Sequence, residues 1–366
     1  LVTGLNPSSG PVGTIVSITG SHLAETQAVS FSGTLALFTI VSNSEVRATV
    51  PVGATSGYVG LQTPYGSTSA PTGFTVIEPS FVVVFGAAGD VPLAGAFDAD
   101  GQSEFGVFRP ARGWYYVDFG RNGWQAGTDL AAPFGLAGDV PFVGDFDGDG
   151  LSDFGVFRPS TGWYYVDLGR NGGQAGRYIA APFGRAGDIP FVGDFDADGK
   201  NEFGVFRPSK GTYYVDLGRN GWHAGEDLAV GFGVSGDIPF VGDFDGDGLS
   251  DFGVSRPSTG WYFIDLGRNG GLSDRYIAAP FGKAGDVPFV GDFDGDGHDE
   301  PGVFRPSNGF HYVDLGRDGW HAGQDIARGF GEAGDIPFVG RFDLDLRSDF
   351  GVFRPREGRY YVDLGN

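Results

Sequence analysis

The sequence has no cysteine, so no disulfide framework holds the chain together. It has no run of 18 apolar residues, which excludes a membrane-spanning helix. No stretch of about 10–12 residues keeps a helical apolar period, so almost no helix is expected. Positive charge is scarce: 24 Lys and Arg stand against 46 Asp and Glu, a formal net charge of −22. That balance disfavours nucleic acid and anionic membrane as partners and suits a binder of cations. The chain begins at Leu1 without a signal peptide, as expected of a mature secreted chain after leader cleavage.

What is abundant is glycine, with 67 residues, beside 22 prolines. A hydrophobic content of 40% and an aromatic content of 15% nonetheless argue for a packed interior. Short aromatic and β-branched runs, separated by Gly, Pro and Asp, read as strands and tight turns, and the predicted class is all-β. The length of 366 residues suggests two or three domains.

Residues 1–78 form the first unit. They alternate with period two over Thr14–Thr19, Tyr58–Thr63 and Phe74–Ile77, with turn residues between, which is the pattern of a β-sandwich. The runs NPSSGPVGTIVSITGSHL, VSFSG, ATVPVGATSGYVGLQTPYG and FTVI resemble the TIG (IPT) family of immunoglobulin-like domains. The resemblance implies the sandwich fold and a role as spacer or protein-contact module.

From Phe85 onward the chain repeats. Phe-Gly recurs at Phe85, Phe134, Phe183, Phe232, Phe281 and Phe330, 49 residues apart each time. Repeats of this length with several strands each indicate propeller blades. The second repeat divides into strands at Val140–Asp145, Asp153–Phe157, Trp163–Leu168 and Arg177–Ala181. The second and third carry large apolar groups on both faces, as a sheet wedged between two others requires. The sixth repeat ends after its third strand, and residues 79–84 are expected to supply the fourth, closing a six-bladed ring without an unpaired edge. The alternative is that they pair with another subunit.

Between the first two strands of each repeat lies Asp-x-Asp-x-Asp-Gly-x-x-Asp/Glu. Four copies are intact: Asp145, Asp147, Asp149 and Asp153; Asp194, Asp196, Asp198 and Glu202; Asp243, Asp245, Asp247 and Asp251; Asp292, Asp294, Asp296 and Glu300. Four carboxylates in nine residues repel one another unless a cation sits among them. Hard oxygen ligands in a flexible loop suit Ca²⁺, with a loop carbonyl from Leu151, Lys200, Leu249 or His298 completing each set. About four Ca²⁺ ions per chain are expected on this count. The first repeat has Ala96 in the leading position. The sixth has Arg341 there and Leu346 for the glycine, and neither loop is expected to hold an ion tightly.

The run FG…GDFDGDGLSDFGVFRP…GWYYVDLG resembles the FG-GAP/VCBS repeat of integrin α-chain propellers and many bacterial surface proteins, with FRP where that family has Gly-Ala-Pro. The resemblance covers residues 79–366. It implies calcium bound on one face of a propeller, a role in adhesion or recognition, and no enzyme activity. An extracellular or cell-surface location, in a bacterium, goes with it.

Arg109, Arg158, Arg207, Arg256, Arg305 and Arg354 occupy one position in every repeat, and Asp118, Asp167, Asp216, Asp265, Asp314 and Asp363 another. Equal occupancy points to structural pairing or capping. Trp124, Trp222 and Trp320 instead occur only in repeats one, three and five, while Gly173 and Gly271 take their place in repeats two and four. These tryptophans are predicted at the rim, where an indole either packs on the neighbouring blade or stacks on a sugar or anchors a protein. The leading expectation is a calcium-stabilised extracellular recognition or adhesion protein that binds a protein or glycan ligand. A lectin-like carbohydrate binder and a self-associating subunit of a surface layer or fibre are the alternatives.

Overall fold

The computed structural model describes residues 1–10, 14–51, 54–76, 81–272 and 275–364. Two compact units are distinguished: Leu1–Phe81 with Pro306–His311 and Ala327–Ala333, and the remainder of the described chain. The expected boundary between residues 78 and 79, and Pro79 and Ser80 of the expected closing strand, lie outside the described residues.

In the first unit, strands Val2–Asn6, Ile15–Gly20, Glu45–Thr49 and Phe38–Ser42 form one four-stranded sheet. Strands Thr34–Ala36, Ala28–Phe31, Val59–Thr63 and Gly66–Ser69 form the other. Alternate residues such as Val16, Ile18, Val29, Phe31, Val46 and Leu61 turn inward and are buried, as the period-two pattern requires. Phe31 meets Phe74 edge to face, with ring centroids 5.2 Å apart.

The repeats are built of four-stranded sheets in a propeller-like arrangement. Among the described residues there are six such sheets, one per repeat. In the second repeat the strands are Val140–Gly144, Asp153–Arg158, Trp163–Asp167 and Tyr178–Pro182, within one or two residues of the predicted bounds. The only helical segment among the described residues is a single 3₁₀ turn, Gln174–Gly176. Strand Phe81–Val84 joins the sheet of the sixth repeat beside Arg359–Asp363. The first strands of successive sheets touch one another in order, and Ile336–Gly340 of the sixth touches Val91–Gly95 of the first.

Side-chain chemistry repeats across four of the six junctions between sheets. The second strand Asp153–Phe157 is buried on both faces, as expected. The third strand departs from expectation, because Trp163 and Trp261 are 37% and 38% exposed and only the opposite face is fully covered. That covered face carries Tyr115, Tyr164, Tyr213 and Tyr360, each stacked on a second-strand phenylalanine of the next repeat: Phe154, Phe203, Phe252 and Phe105, at centroid distances of 4.3–4.6 Å. A buried aromatic pair adds about 0.5–1.5 kcal/mol beyond the area it removes from water.

The mid-strand glycines have a related cause. A Cβ on Gly204 would lie 2.2 Å from the ring of Phe191 on the neighbouring strand, and one on Gly155 would lie 1.9 Å from Phe142. Only hydrogen at these sites lets the phenylalanine lie flat across the sheet.

Candidate metal centre

The acidic loops are shaped by their own carboxylates. The last of each set opens the second strand, so Asp153, Glu202, Asp251 and Glu300 are fully buried by the sheet. The loop then folds back over it. Asp153 Oδ2 accepts the Phe146 amide at 3.0 Å, while Asp145 accepts the amides of Gly148 at 2.7 Å and Gly150 at 2.8 Å. Gly148 has φ 77° and Gly150 φ 83°, the left-handed region that glycine tolerates.

One oxygen each from Asp145, Asp147 and Asp153 lies within 4.8 Å of the others. The same holds for Asp194, Asp196 and Glu202, for Asp243, Asp245 and Asp251, and for Asp292, Asp294 and Glu300. The first, third and ninth positions of each loop therefore converge. The fifth-position residues Asp149, Asp198, Asp247 and Asp296 are not part of these clusters.

Each fifth-position carboxylate shares an arginine with the ninth, and the third-position Asp147 and Asp245 pair with Arg177 and Arg275. Arg219 bonds Asp198 at 2.7 Å with one guanidinium nitrogen and Glu202 with another. Arg170 lies 3.5 Å from Asp149 and 3.6 Å from Asp153, and Arg268 lies 3.6 Å from Asp247 and 3.3 Å from Asp251. Arg317 lies 3.9 Å from Asp296 and 2.9 Å from Glu300. Arg170, Arg219, Arg268 and Arg317 each sit in the turn after the third strand with φ between 49° and 54°, a left-handed conformation uncommon for arginine. Sequence reasoning did not single them out, although GRNG or GRDG recurs in five repeats. Leu151, Lys200, Leu249 and His298 turn their amides onto the fifth-position Oδ1 at 2.8–3.0 Å.

The electrostatics follow from burial. Burial pushes Asp153 and Asp251 up to about 7 and Glu202 and Glu300 up to about 8, with neighbouring loop carboxylates adding to the shift. Backbone amides and the arginine oppose it only in part. Arg219 in turn holds Asp198 below the usual carboxylate range. Asp153 Oδ1 is buried with no hydrogen bond. Each loop thus holds one buried carboxyl that ionises reluctantly beside two that are more accessible, an arrangement a divalent cation would relieve.

The damaged loops behave differently from each other. In the first repeat Asp98, Asp100 and Glu104 still converge within 4.8 Å despite Ala96, with Arg121 at 2.9 Å from both Asp100 and Glu104. In the sixth, Asp349 is pushed up to about 7 by burial, and Arg341 acts on Asp299 of the neighbouring loop.

The repeated arginines pair with an aspartate not foreseen. Arg158 binds Asp139 through two parallel bonds of 2.8 Å, and Arg109, Arg207, Arg256, Arg305 and Arg354 bind Asp90, Asp188, Asp237, Asp286 and Asp335 in the same way. The signal was the Asp of the recurring Gly-Asp-Val-Pro or Gly-Asp-Ile-Pro run. Asp118 and Asp216 instead cap the turn that carries the loop arginine, accepting the amides of Gly123 at 2.6 Å and Gly221 at 2.7 Å. Trp124, Trp222 and Trp320 are 45%, 42% and 39% exposed.

Residues 1–76 match the IPT/TIG domain. No curated protein matches the chain. Among solved structures, a lectin from Agrocybe aegerita described as recognising non-reducing terminal N-acetylglucosamine is 15% identical, over 83% of this chain and 86% of that one, with a TM-score of 0.44. An auxiliary nutrient binding protein from Bacteroides thetaiotaomicron is 12% identical over 99% and 97%, with a TM-score of 0.40. A virginiamycin B lyase from Staphylococcus aureus, in a catalytically inactive form, is 8% identical over 96% and 99%, with a TM-score of 0.45. Likenesses this distant assign no function.

Proposed function

We propose that this chain is a calcium-stabilised, non-catalytic recognition or adhesion protein of the extracellular space or cell surface. In this reading residues 1–78 form a TIG module and residues 79–366 a closed six-bladed propeller of the FG-GAP/VCBS type. The observation that carries it is the recurrence, in register, of carboxylate triads within 4.8 Å, each with a buried member. Asp145, Asp147 and Asp153, and their equivalents in the next three repeats, would hold the ion. The hard, all-oxygen donor set fits Ca²⁺, which accepts six to eight oxygens, about three of them then coming from backbone carbonyl or water. Calcium would neutralise the loop and tie the first two strands of each sheet together. It supplies structure, not chemistry.

The arginine beside each triad fits the same scheme. It bridges the fifth- and ninth-position carboxylates, and the ligand set narrows to the first, third and ninth positions because those are the ones that converge within 4.8 Å. The protein or glycan partner remains separate from these loops.

The test is metal analysis and calorimetry on the whole chain. Dialysis against Ca²⁺ should leave about four ions, with affinities of ~10⁻⁴–10⁻³ M and a melting temperature that falls on chelation. A stoichiometry near zero with a melt indifferent to chelator would overturn the proposal.

A further inference from the structure

Three pockets of the same construction lie at alternate junctions between repeats. Their volumes are about 340, 320 and 390 Å³, and they are walled by Trp222, Trp124 and Trp320 respectively. In each the indole is held edge to face by the tyrosine Tyr214, Tyr116 or Tyr312, at 5.6, 5.6 and 5.4 Å. Behind it lies a Phe-Gly phenylalanine, Phe183, Phe85 or Phe281, at 6.0–6.4 Å. The back wall is an arginine stacked over that same tyrosine at 4.4–4.7 Å and locked onto its aspartate.

The tryptophan is one of two solutions at these junctions, for in repeat four Tyr276 packs on Phe232 and Phe263 instead. Repeats two and four form the same four-stranded sheets with Gly173 and Gly271 in place of the tryptophan. A large aromatic fixed on two sides and left about two-fifths open is a ligand platform whose ordering cost is met in advance. Pockets of about 300–400 Å³ lie at the small end of ligand sites, the size for one ring rather than a peptide helix or a nucleotide.

The charge of the walls narrows the class. In a chain of net charge −22, the Trp222 pocket is lined by Arg185 and Lys210, which have no ion-pair partner among the described residues, and by no carboxylate. The Trp320 pocket has Lys283 at the position of Arg185, and the Trp124 pocket has Ala87 there. An indole face with free cations beside it takes a ring that is apolar on one face and anionic at its edge. We propose that the Trp222 and Trp320 pockets bind the acidic residues of a saccharide polymer, hexuronates foremost, with the sugar face on the tryptophan and its carboxylate on Arg185 and Lys210 in the first and on Lys283 in the second. Two such sites on one molecule suit a polymer of repeating units, because the second contact is then intramolecular. This deepens the recognition reading and rests on it, but not on calcium. The acidic loops join the first and second strands, whereas Thr161–Gly162 and Thr259–Gly260 at two of the pocket mouths lie between the second and third, at the opposite end of the antiparallel sheet.

The experiment titrates galacturonate oligosaccharides, and neutral oligosaccharides of equal length, into the calcium-saturated whole chain and into the Trp124→Ala, Trp222→Ala and Arg185→Ala/Lys210→Ala variants. Acidic oligomers should bind and neutral ones should not. Trp222→Ala and the double cation variant should each weaken binding about tenfold or more, as loss of an anchor does, and Trp124→Ala should weaken it least. The cation variant alters two exposed side chains, so it keeps the test sound should Trp222→Ala fail to fold. No binding of acidic oligomers, binding indifferent to these substitutions, or equal binding of neutral sugars would each overturn the proposal. A chain that binds no calcium yet takes acidic sugar through Trp222 would separate the failure of the calcium reading from success here.

Discussion

Ser103 and Arg341, 238 residues apart in the chain, exchange a pair of hydrogen bonds: the Ser103 amide donates to the Arg341 carbonyl at 2.5 Å, and the Arg341 amide donates to Ser103 Oγ at 3.0 Å. The first bond is the sixth of a series. The amides of Ser152, Asn201, Ser250, Asp299 and Ser348 each donate to the carbonyl that leads the preceding acidic loop, at 2.6–2.7 Å. Tyr360 adds a further contact across the same junction by donating to the Gly106 carbonyl.

Closure can therefore be tested through its strand. Deleting residues 79–84 should expose the edge of Arg359–Asp363, and the truncated chain should aggregate or lose a cooperative melt. Size-exclusion chromatography and calorimetry read the outcome. A monomer with unchanged stability would show that this strand is dispensable.

The ligand set of the acidic loops predicts an asymmetry between two neighbouring carboxylates. Glu202→Gln should remove one calcium ion per chain, because Glu202 belongs to a converging triad. Asp198→Asn should leave the stoichiometry unchanged, since Asp198 lies outside that triad. Equal losses from both would return the fifth position to the ligand set.

The raised carboxyls give the metal-free chain an inverted pH profile. Glu104 and Asp153 titrate at about 7 and Glu202 and Glu300 at about 8 when folded, against about 4 unfolded. The folded state then binds more protons than the unfolded one, so stability falls as pH rises from about 4 to about 8. Calcium takes the place of the proton, so binding should release protons near neutral pH and flatten the profile. Melting temperatures with chelator and with calcium across that range check both statements.

The pairing of Arg158 with Asp139 predicts a large structural effect with no effect on metal. Asp139 is almost fully buried, and Arg158→Ala would leave its charge without a partner. Breaking a buried pair costs about 3–5 kcal/mol, toward the lower end here because Arg158 is partly open to water. Denaturant unfolding should show that loss while the calcium stoichiometry of the folded fraction stays constant.

Two glycines in equivalent positions should respond differently to the same substitution. Gly204→Ala drives a methyl into Phe191 and should destabilise by about 1–3 kcal/mol, the usual cost of overpacking. At Gly106 the neighbour is Leu93, whose Cβ would lie 3.5 Å from the new methyl, and Gly106→Ala should be close to neutral. Thermal melts of the two variants make the comparison.

The tryptophan platforms do not lend themselves to the simplest optical assay. Trp163 and Trp261 are as exposed as Trp320, so iodide quenching of the whole chain does not separate rim from strand. Single substitutions do.

The sequence alone determined the 49-residue period, the positions of the strands of the second repeat within one or two residues, and the loops where carboxylates gather. These are local properties: period-two burial, turn residues, and Asp and Gly at fixed offsets within one short loop. Only the tertiary structure decided which charged groups share one desolvated space. Arg219 reaches Asp198 and Glu202 from about a third of a repeat away because strands Glu202–Arg207 and Thr212–Asp216 pair in a register that ends both at the acidic loop. Arg207 finds Asp188 rather than Asp216 because adjacent antiparallel strands set the first two at one end of the sheet and the third at the other. The alternation legible in the tryptophans recurs in the tyrosines, for Tyr164 and Tyr262 donate to Asp216 and Asp314 while Tyr115 and Tyr213 donate to glycine carbonyls of the following repeat. Such partners lie 40–52 residues apart, and periodicity along the chain carries no information on which of several equivalent groups the packing of two sheets will bring within reach.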